Sequence, residues 1–398
     1  MKKIVLAYSG GLDTTCIIPW LKEHYDTEIV AFCANLGESE DEEVLKKRAL
    51  DAGASEFFFK ELREKFLNEF VFPALRVGAV YEDGYLMATA LARPLIASEM
   101  VSIAHETNAD AVSHGCTGKG NDQVRFELAV STLDDSLEVV APLREWELKS
   151  REEELEYIKK HNLEIGDTGG GKYSIDRNLW GISVECGELE DPWNEPPEDS
   201  YVLVTPVEKA PEESETVIIE FKEGIPVKLN NEEIPAVELV EKLNKIGGKH
   251  GVGRNDVVEN RVVGIKSREV YEAPAGTILF KALRALESLV LEKEQVHNLR
   301  KLAMEYSRLV YDGKWFSPLR YSIQGYCDAS KDSLNGEVRI KLYKGNADVT
   351  GRRSPDSLYV EDLATYTDKD VFSHGSAKGF IDIWGLPLKV WGKIKKEK

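Results

Sequence analysis

The chain predicts an α/β protein: a doubly wound parallel-sheet domain, then an α+β domain, then a C-terminal helical arm. Three observations carry this. Short apolar runs alternate with helical periodicity over residues 1–165, as parallel strands with crossover helices require. Two glycines stand where the first apolar run meets the first helix. The alternation stops at a Gly- and Pro-rich stretch, beyond which hairpin and helix patterns follow in blocks.

In chain order, KKIVLAY, EIVAFCA and SEFFF read as strands, with CIIPWLKEHY, EDEEVLKKRALDAG and ELREKFLNEF as the helices after them. A helix is expected from about Leu91 to His105, a strand at ADAVSHG, an amphipathic segment at DQVRFELAVSTL, a strand at SLEVVAPL and a charged helix at REEELEYIKKHN. Gly169, Gly170 and Gly171, followed by DPWNEPPEDS, mark a boundary. In the second domain, residues 166–360, ETVIIEFKEGIPVKLNN reads as a hairpin turning at Glu223 and Gly224. AVELVEKLNKIG is a helix, and residues 277–311 form one long or broken helical segment. The last segment, 361–398, is rich in apolar residues such as Ile383, Trp384, Leu388 and Trp391 but too short for a core of its own. Such an arm packs on another surface, so a homo-oligomer is expected.

At 398 residues the chain is long enough for two domains, and 42% hydrophobic with 30% charged residues is ordinary for a globular protein. MKKIVLAYSGGLD has too short an apolar run for a signal peptide or membrane span, so a cytoplasmic protein with no membrane partner is expected. Five cysteines without a C-x-x-C pair argue against a zinc ribbon, a disulfide framework or a dithiol site, and predict buried free thiols. A net charge of −19 disfavours nucleic acid as a partner.

The string SGGLDTT, Ser9 to Thr15, closes the first strand and opens the first helix. Gly10 and Gly11 allow a tight turn whose N–H groups can approach an anion, and the helix N-terminus adds about half a positive charge. Ser9, Thr14 and Thr15 offer hydroxyls. No Walker lysine follows, so the cradle suits a departing pyrophosphate rather than a transferred phosphoryl group. Alone, two glycines could merely form a turn with Asp13 as N-cap. A carboxylate beside phosphates is otherwise unfavourable unless it meets Mg²⁺, so a magnesium-bound nucleotide is expected, with Asp13 as a candidate ligand; no dedicated metal site is visible.

SGGLDTT resembles the pyrophosphate loop of the PP-loop ATP pyrophosphatases (adenine nucleotide alpha hydrolase-like domains). AYSGGLDTTC, YLMATALARP, HGCTGKGNDQVRFE, YSIDRNLWGIS, VENRVVGIKSREVYEAPAGTIL and YSIQGYCDASKDSLNGEV resemble, in order, the signature blocks of the argininosuccinate synthase family, spread over nearly the whole chain. The resemblance implies a ligase in arginine biosynthesis that joins L-citrulline and L-aspartate with ATP through citrullyl-AMP. It also implies a homotetramer. By motif match the nucleotide lies along Ala7, Tyr8, Ser9, Gly10, Gly11, Leu12, Asp13, Thr14 and Thr15, with Ala34 and Gly115. Thr117, Asn121 and Asp122 match aspartate-binding positions; Tyr85, Asn121, Arg125, Ser174, Ser183, Glu259 and Tyr271 match citrulline-binding ones. Ser9, Asp13 and Arg125 are the expected catalytic residues. Ala90 stands where some members have Ser, so Thr89 becomes the expected polar neighbour there, with the aspartate side as its candidate place.

Residue chemistry is consistent with this: a zwitterionic amino acid needs a cation such as Arg125 and an anion such as Glu259. Each also has a plain alternative. Arg125 could pair with Glu127 or Glu154, and Glu259 could be a solvated strand residue. GDTGGGKY from Gly166 is one residue short of a Walker motif with no strand before it; its glycines suit a loop reaching across the citrulline pocket. The competing readings are another adenylating PP-loop ligase and a nucleotide-binding module without catalysis.

Overall fold

The computed structural model describes residues 1–37, 41–148, 150–165 and 172–397. The glycines expected in the boundary loop, Gly169, Gly170 and Gly171, lie outside them. The chain forms two compact units, Met1–Asp356 and Ser357–Lys398.

The larger unit begins with β1 (Lys3–Ala7), α1 (Leu12–Tyr25), β2 (Glu28–Asn35), α2 (Glu42–Asp51) and β3 (Glu56–Glu61). Helix α3 (Arg63–Phe66) runs through a π-helical turn at Leu67–Val71 into α4 (Phe72–Val77). Then follow α5 (Ala88–Thr107), β4 (Ala111–Ser113), α6 (Asp122–Leu133), β5 (Glu138–Val140) and α7 (Arg151–Lys160). The five strands pair in the order β3-β2-β1-β4-β5, all parallel. Ile4 and Leu6 of β1 pack into one layer with Ile17, Leu21 and Ile158, while Val5 packs into the other with Leu91 and Leu95. Both faces are covered, which is why these strands read as continuous apolar runs. The sheet winds in opposite directions from β1, so its topological switch point, the position at which open α/β sheets take ligands, is the crevice at the ends of β1 and β4.

Helix α5 starts at Ala88 rather than near Leu91, because the Tyr85 hydroxyl accepts the otherwise unpaired amides of Thr89 and Ala90 at 3.1 and 3.3 Å. Hydrophobic periodicity carries no trace of that cap.

Beyond the boundary, β6 (Ser174–Asn178) and β7 (Gly181–Glu185) come first. Next, β8 (Glu215–Lys222) and β9 (Ile225–Leu229) form the expected hairpin, with Glu223 and Gly224 at φ 52° and 77° in its turn. They are followed by β10 (Glu232–Glu233), α8 (Ala236–Lys249), β11 (Arg254–Asn260) and β12 (Lys266–Glu272). The segment expected to be one long or broken helix is broken: α9 (Pro274–Val290) ends before Glu292, whose carboxylate caps α10 (Lys293–Tyr311) by accepting from the amides of Glu294 and Gln295. Helix α11 (Pro318–Asp328), β13 (Gly336–Tyr343) and β14 (Asn346–Arg353) complete the unit. Two antiparallel sheets result, β10-β9-β8-β13-β14 and β11-β12-β7-β6.

The second of these sheets is joined to the parallel one by the Leu179 amide, which donates to the Leu36 carbonyl at 2.7 Å. A Cβ on Gly37 would come within 2.8 Å of that amide nitrogen. On the far side, buried Glu272 accepts from the amides of Val202, Leu203 and Val204, fixing that loop against β12.

The smaller unit contains α12 (Glu361–Ala364), α13 (His374–Trp384) and α14 (Leu386–Lys396), and leaves Phe380, Trp384, Leu388 and Trp391 exposed. Among the described residues no helix is long and apolar enough to cross a membrane. The five cysteines stand outside disulfides; Cys16, Cys33 and Cys327 are buried as expected, whereas Cys116 is half-buried and Cys186 is exposed.

Candidate functional site

A cavity of about 430 Å³ opens where β1, β2 and β4 end. One end is made largely of backbone. Ala7, Tyr8, Ser9, Gly11, Leu12, Asp13 and Thr14 line it, together with Ala34 and Gly115. The first helical hydrogen bond of α1 runs from the Thr15 amide to the Gly11 carbonyl at 3.1 Å, so the amides of the preceding turn have no intrahelical acceptor. The Ser9 and Thr14 hydroxyls lie 3.1 Å apart, and the Gly11 amide donates to Ser9 Oγ at 3.3 Å. Gly115 is a close-approach glycine: a Cβ there would meet Thr14 at 3.2 Å and Ile17 at 3.3 Å.

Two loop residues stand apart from the cavity lining. Gly10, at φ 78°, turns its carbonyl back to the buried Arg48 guanidinium at 2.8 Å. Thr15 is fully buried with its hydroxyl 3.3 Å from that of Tyr8, so the expectation that it offers a hydroxyl to phosphate is corrected: the side chain belongs to the core. Asp13 does not cap α1 either; Gly11 occupies that position without a side-chain cap. Burial, followed by the adjacent Asp13 carboxylate, pushes Glu154 up to about 8.

The other end is made of side chains. Residues directly opposite in an antiparallel sheet point to the same face, and Tyr271 pairs with Ser183, which pairs with Asp176. At period two from these come Glu259 and Glu269 on β11 and β12, Glu185 on β7 and Ser174 on β6. One polar face of one sheet thus supplies these seven side chains to the cavity, with Asn178 of β6 beside them. Ser174 is exposed at its rim, as is Thr117 opposite. Thr89 lies 3.4 Å from Ser183 across the cavity, whereas Ala90 is buried away from it.

Glu259 is 1% exposed, so it is not a solvated strand residue. Tyr271 donates to it at 2.5 Å, and Tyr311 donates to its other oxygen. Tyr311 also accepts from Asn121 Nδ2 at 2.8 Å, and its carbonyl accepts from Arg125 Nε at 3.0 Å. Tyr81 stacks on its ring at 3.6 Å. Tyr85 stacks on Tyr271 at 4.1 Å; because its oxygen accepts two amides, its proton remains to be donated.

Arg125, 4% exposed, pairs neither with Glu127 nor with Glu154 but with Asp122, Nη1 to Oδ1, at 2.8 Å. Its buried Nη2 has no protein partner. Arg93 donates to the other Asp122 oxygen at 2.7 Å. Burial opposes charge on Asp122, yet Arg93 and then Arg125 outweigh it and hold the carboxyl below its usual range. Burial raises Glu269 to about 8, helped by the nearby Glu259 and Glu185 carboxylates. The Tyr271 hydroxyl lies 3.1 Å from Glu269 Oε2 as well as 2.5 Å from Glu259, so one phenol stands between the two carboxyls.

Sequence reasoning missed Arg93, Tyr311, Glu269 and Glu185. Glu269 and Glu185 were findable, since each lies two residues from a residue already singled out on its strand. Tyr311 comes from the end of a helix with no local cue.

Comparison with known proteins accords with this geometry. Residues 3–164 match the arginosuccinate synthase N-terminal HUP domain and residues 173–391 the arginosuccinate synthase C-terminal domain. The argininosuccinate synthase of Caldanaerobacter subterraneus is 52% identical over 389 residues, 98% of this chain and 95% of that one. That of Carboxydothermus hydrogenoformans is 51% identical over 395 residues, covering 99% and 98%. That of Chlorobium phaeobacteroides is 50% identical over 394 residues, again 99% and 98%. With both domain models matched and half of all residues shared along its full length, the chain belongs to the argininosuccinate synthase family.

Proposed function

We infer that the chain is an ATP-dependent carbon–nitrogen ligase that joins L-citrulline and L-aspartate into argininosuccinate, releasing AMP and pyrophosphate through citrullyl-AMP. The observation that carries the reading is that a phosphate-cradling helix N-terminus and a sheet face bearing Glu259, Tyr271 and Ser183 open into one cavity with Arg125 between them. A ureido group is a poor nucleophile at oxygen and a poor electrophile at carbon. Attack of that oxygen on the α-phosphorus of ATP turns it into a leaving group, and the aspartate amine then displaces AMP.

In this mechanism the loop from Ala7 to Thr15, with Ala34 and Gly115, holds the nucleotide; Gly10 and Thr15 act from behind by setting the loop's shape. Ser9 and the amides of α1 receive the departing pyrophosphate, where one well-aimed donor is worth about 2.7–4 kcal/mol. Arg125 takes the citrulline carboxylate and Glu259 its ammonium, with Tyr85, Asn121, Ser174, Ser183 and Tyr271 completing the contacts. Thr117, Asn121 and Asp122 receive aspartate, beside Thr89. Among the described residues no three His, Cys, Asp or Glu side chains are grouped to hold a metal ion. Mg²⁺ accompanying ATP would therefore be held by the triphosphate and, on the protein side, by Asp13. Residues 1–165 form the nucleotide domain, 166–360 the synthetase domain and 361–398 an arm whose exposed apolar side chains support self-association, here a homotetramer, in a protein of the cytoplasm.

The test supplies ATP and Mg²⁺ and follows pyrophosphate with citrulline, aspartate, both or neither. Sustained release with both alone, with AMP as the nucleotide product, is expected; ADP would overturn the reading.

A further inference from the structure

We propose that Gln123 and His114 are positioning residues that hold the glycine loop 115–120 from behind, and that Arg144 and Glu127 join them into one ring of side chains, so that Gly115 and Thr117 meet nucleotide and aspartate in a set relation. The proposal rests on the ligase reading and deepens it.

The loop needs such support. Gly115, Gly118 and Gly120 make up half of it, and glycine gives up more backbone freedom on ordering than any other residue. Thr117, Gly118 and Lys119 stand exposed, and within the loop the Gly120 amide donates to the Thr117 carbonyl at 3.2 Å. Left to itself, a segment of this kind would sample many shapes.

Two flanking side chains hold further backbone groups of the loop. Gln123, buried in the first turn of α6, donates from Nε2 to the Gly118 carbonyl at 2.6 Å and to the Gly120 carbonyl at 3.2 Å. Both amide protons are then used, which leaves Oε1 to accept, and Arg144 Nη1 stands there at 3.4 Å. The Arg144 stem runs along the loop: a Cβ on Gly118 would lie 3.9 Å from its Cγ. At the loop's other end, the Cys116 amide donates to His114 Nδ1 at 3.2 Å. Nδ1 is therefore the bare nitrogen, and the proton sits on Nε2. Nε2 faces Glu127 Oε1 at 3.6 Å, with both atoms shut off from water. The same Glu127 oxygen meets Arg144 Nη1 at 2.7 Å, which closes the ring. His114 is buried and stacked on Phe126, so its imidazole is fixed in place.

Of these four side chains only His114 lines the cavity, so the ring acts through the loop rather than on a substrate. Its grip reaches two substrates at once. Gly115 backs onto Thr14 and Ile17 beside the phosphate turn, and Thr117 stands at the cavity rim. Asn121, just past the loop, is held separately: Nδ2 donates to the Tyr311 hydroxyl at 2.8 Å, and Oδ1 accepts from the Val262 amide at 2.9 Å. The contacts assigned to citrulline on α6 and the antiparallel sheet therefore do not depend on the ring.

The experiment measures kcat and the KM for ATP, aspartate and citrulline by pyrophosphate release, in the parent and in Gln123→Met, His114→Leu, His114→Asn and Arg144→Met. Gln123→Met keeps the length and loses both donors. KM for ATP and for aspartate should rise together by about 5- to 50-fold, the range for two neutral hydrogen bonds, while KM for citrulline stays within about twofold of the parent. His114→Leu removes one bond, and the same two constants should rise about 2- to 10-fold. His114→Asn, whose Oδ1 can take the Cys116 amide in place of Nδ1, should restore most of that loss. Arg144→Met, at a partly exposed position, should move the same pair by about two- to threefold. Loss of folded protein lowers kcat and leaves every KM where it was. The proposal is therefore overturned by kcat falling alone, by a rise confined to ATP or to aspartate, or by an equal rise for citrulline. An Asn variant no better than Leu would overturn the part given to His114. If Gln123→Met does not fold, Arg144→Met is read by the same criteria. A parent that releases no pyrophosphate with all three substrates would instead count against the ligase reading itself.

Discussion

The two ends of the cavity are built by different means. The end at β1 and α1 uses a contiguous turn of chain, amides at a helix N-terminus and small side chains, with Arg48 pinning Gly10 from behind. The opposite end uses side chains from α5, α6, α10 and four strands, tied through Asp122, Tyr311 and Glu259. Backbone recognition tolerates change at many positions, because the donors are present whatever the side chain. Networked side chains do not, since removing one member strands the others away from water.

The steepest way to break this contrast is Arg125→Leu. It leaves a buried polar network without one of its cations, which costs about 3–5 kcal/mol. We expect kcat/KM for citrulline to fall roughly 100- to 5,000-fold, with the ATP dependence of any residual turnover little changed. Tyr311→Phe comes next. It removes the hydroxyl that receives Asn121 and serves Glu259, and should cost about 1–3 kcal/mol in citrulline kcat/KM, with no comparable rise in KM for ATP. Gly10→Ala probes the other end. Gly10 sits at φ 78°, where a Cβ costs about 1–2 kcal/mol, so KM for ATP should rise roughly 5- to 30-fold while citrulline and aspartate constants hold. A Gly10 variant that weakened citrulline more than ATP would erase the distinction between the ends.

The smallest effect concerns pH. Glu269 has a folded-state pKa raised to about 8 from 4.5, so the folded chain holds its proton more tightly than the unfolded chain does. The stability this contributes is full below about 4.5 and is lost as pH rises through about 8. Glu269→Gln keeps a neutral side chain throughout. Its Tm relative to the parent should therefore climb between pH 5 and pH 9, by a shift on the order of 2 °C, in paired thermal melts.

How much was legible in the sequence follows the same division. The loop from Ala7 to Thr14 could be read from one string because backbone recognition needs glycines and a helix start in a fixed order. Thr15 was misread: its hydroxyl type fits a phosphate site, but its position on α1 turns it to Tyr8 and the core. The parallel sheet was readable because burial on both faces leaves unbroken apolar runs. Strands β11 to β14 were not, since their alternation is interrupted by charged residues whose partners, such as Arg268 with Asp256, exist only after folding. Glu259 and Tyr271 were reached through family resemblance, whereas Tyr311 and Arg93 owe their roles to contacts across 52 and 29 residues of chain. The early start of α5 likewise depends on a phenol that only tertiary structure delivers.

The backbone hydrogen bond from Leu179 to Leu36 has a mechanical consequence. It lies between the strand that carries Ala34 and the turn that follows Ser174 and Asp176, so any shift of one sheet drags the other with it. Gly37 has no room for a side chain at this seam, which makes the seam stiff. The two ends of the cavity are thus held at one spacing by the chain itself, whatever molecules come to fill them.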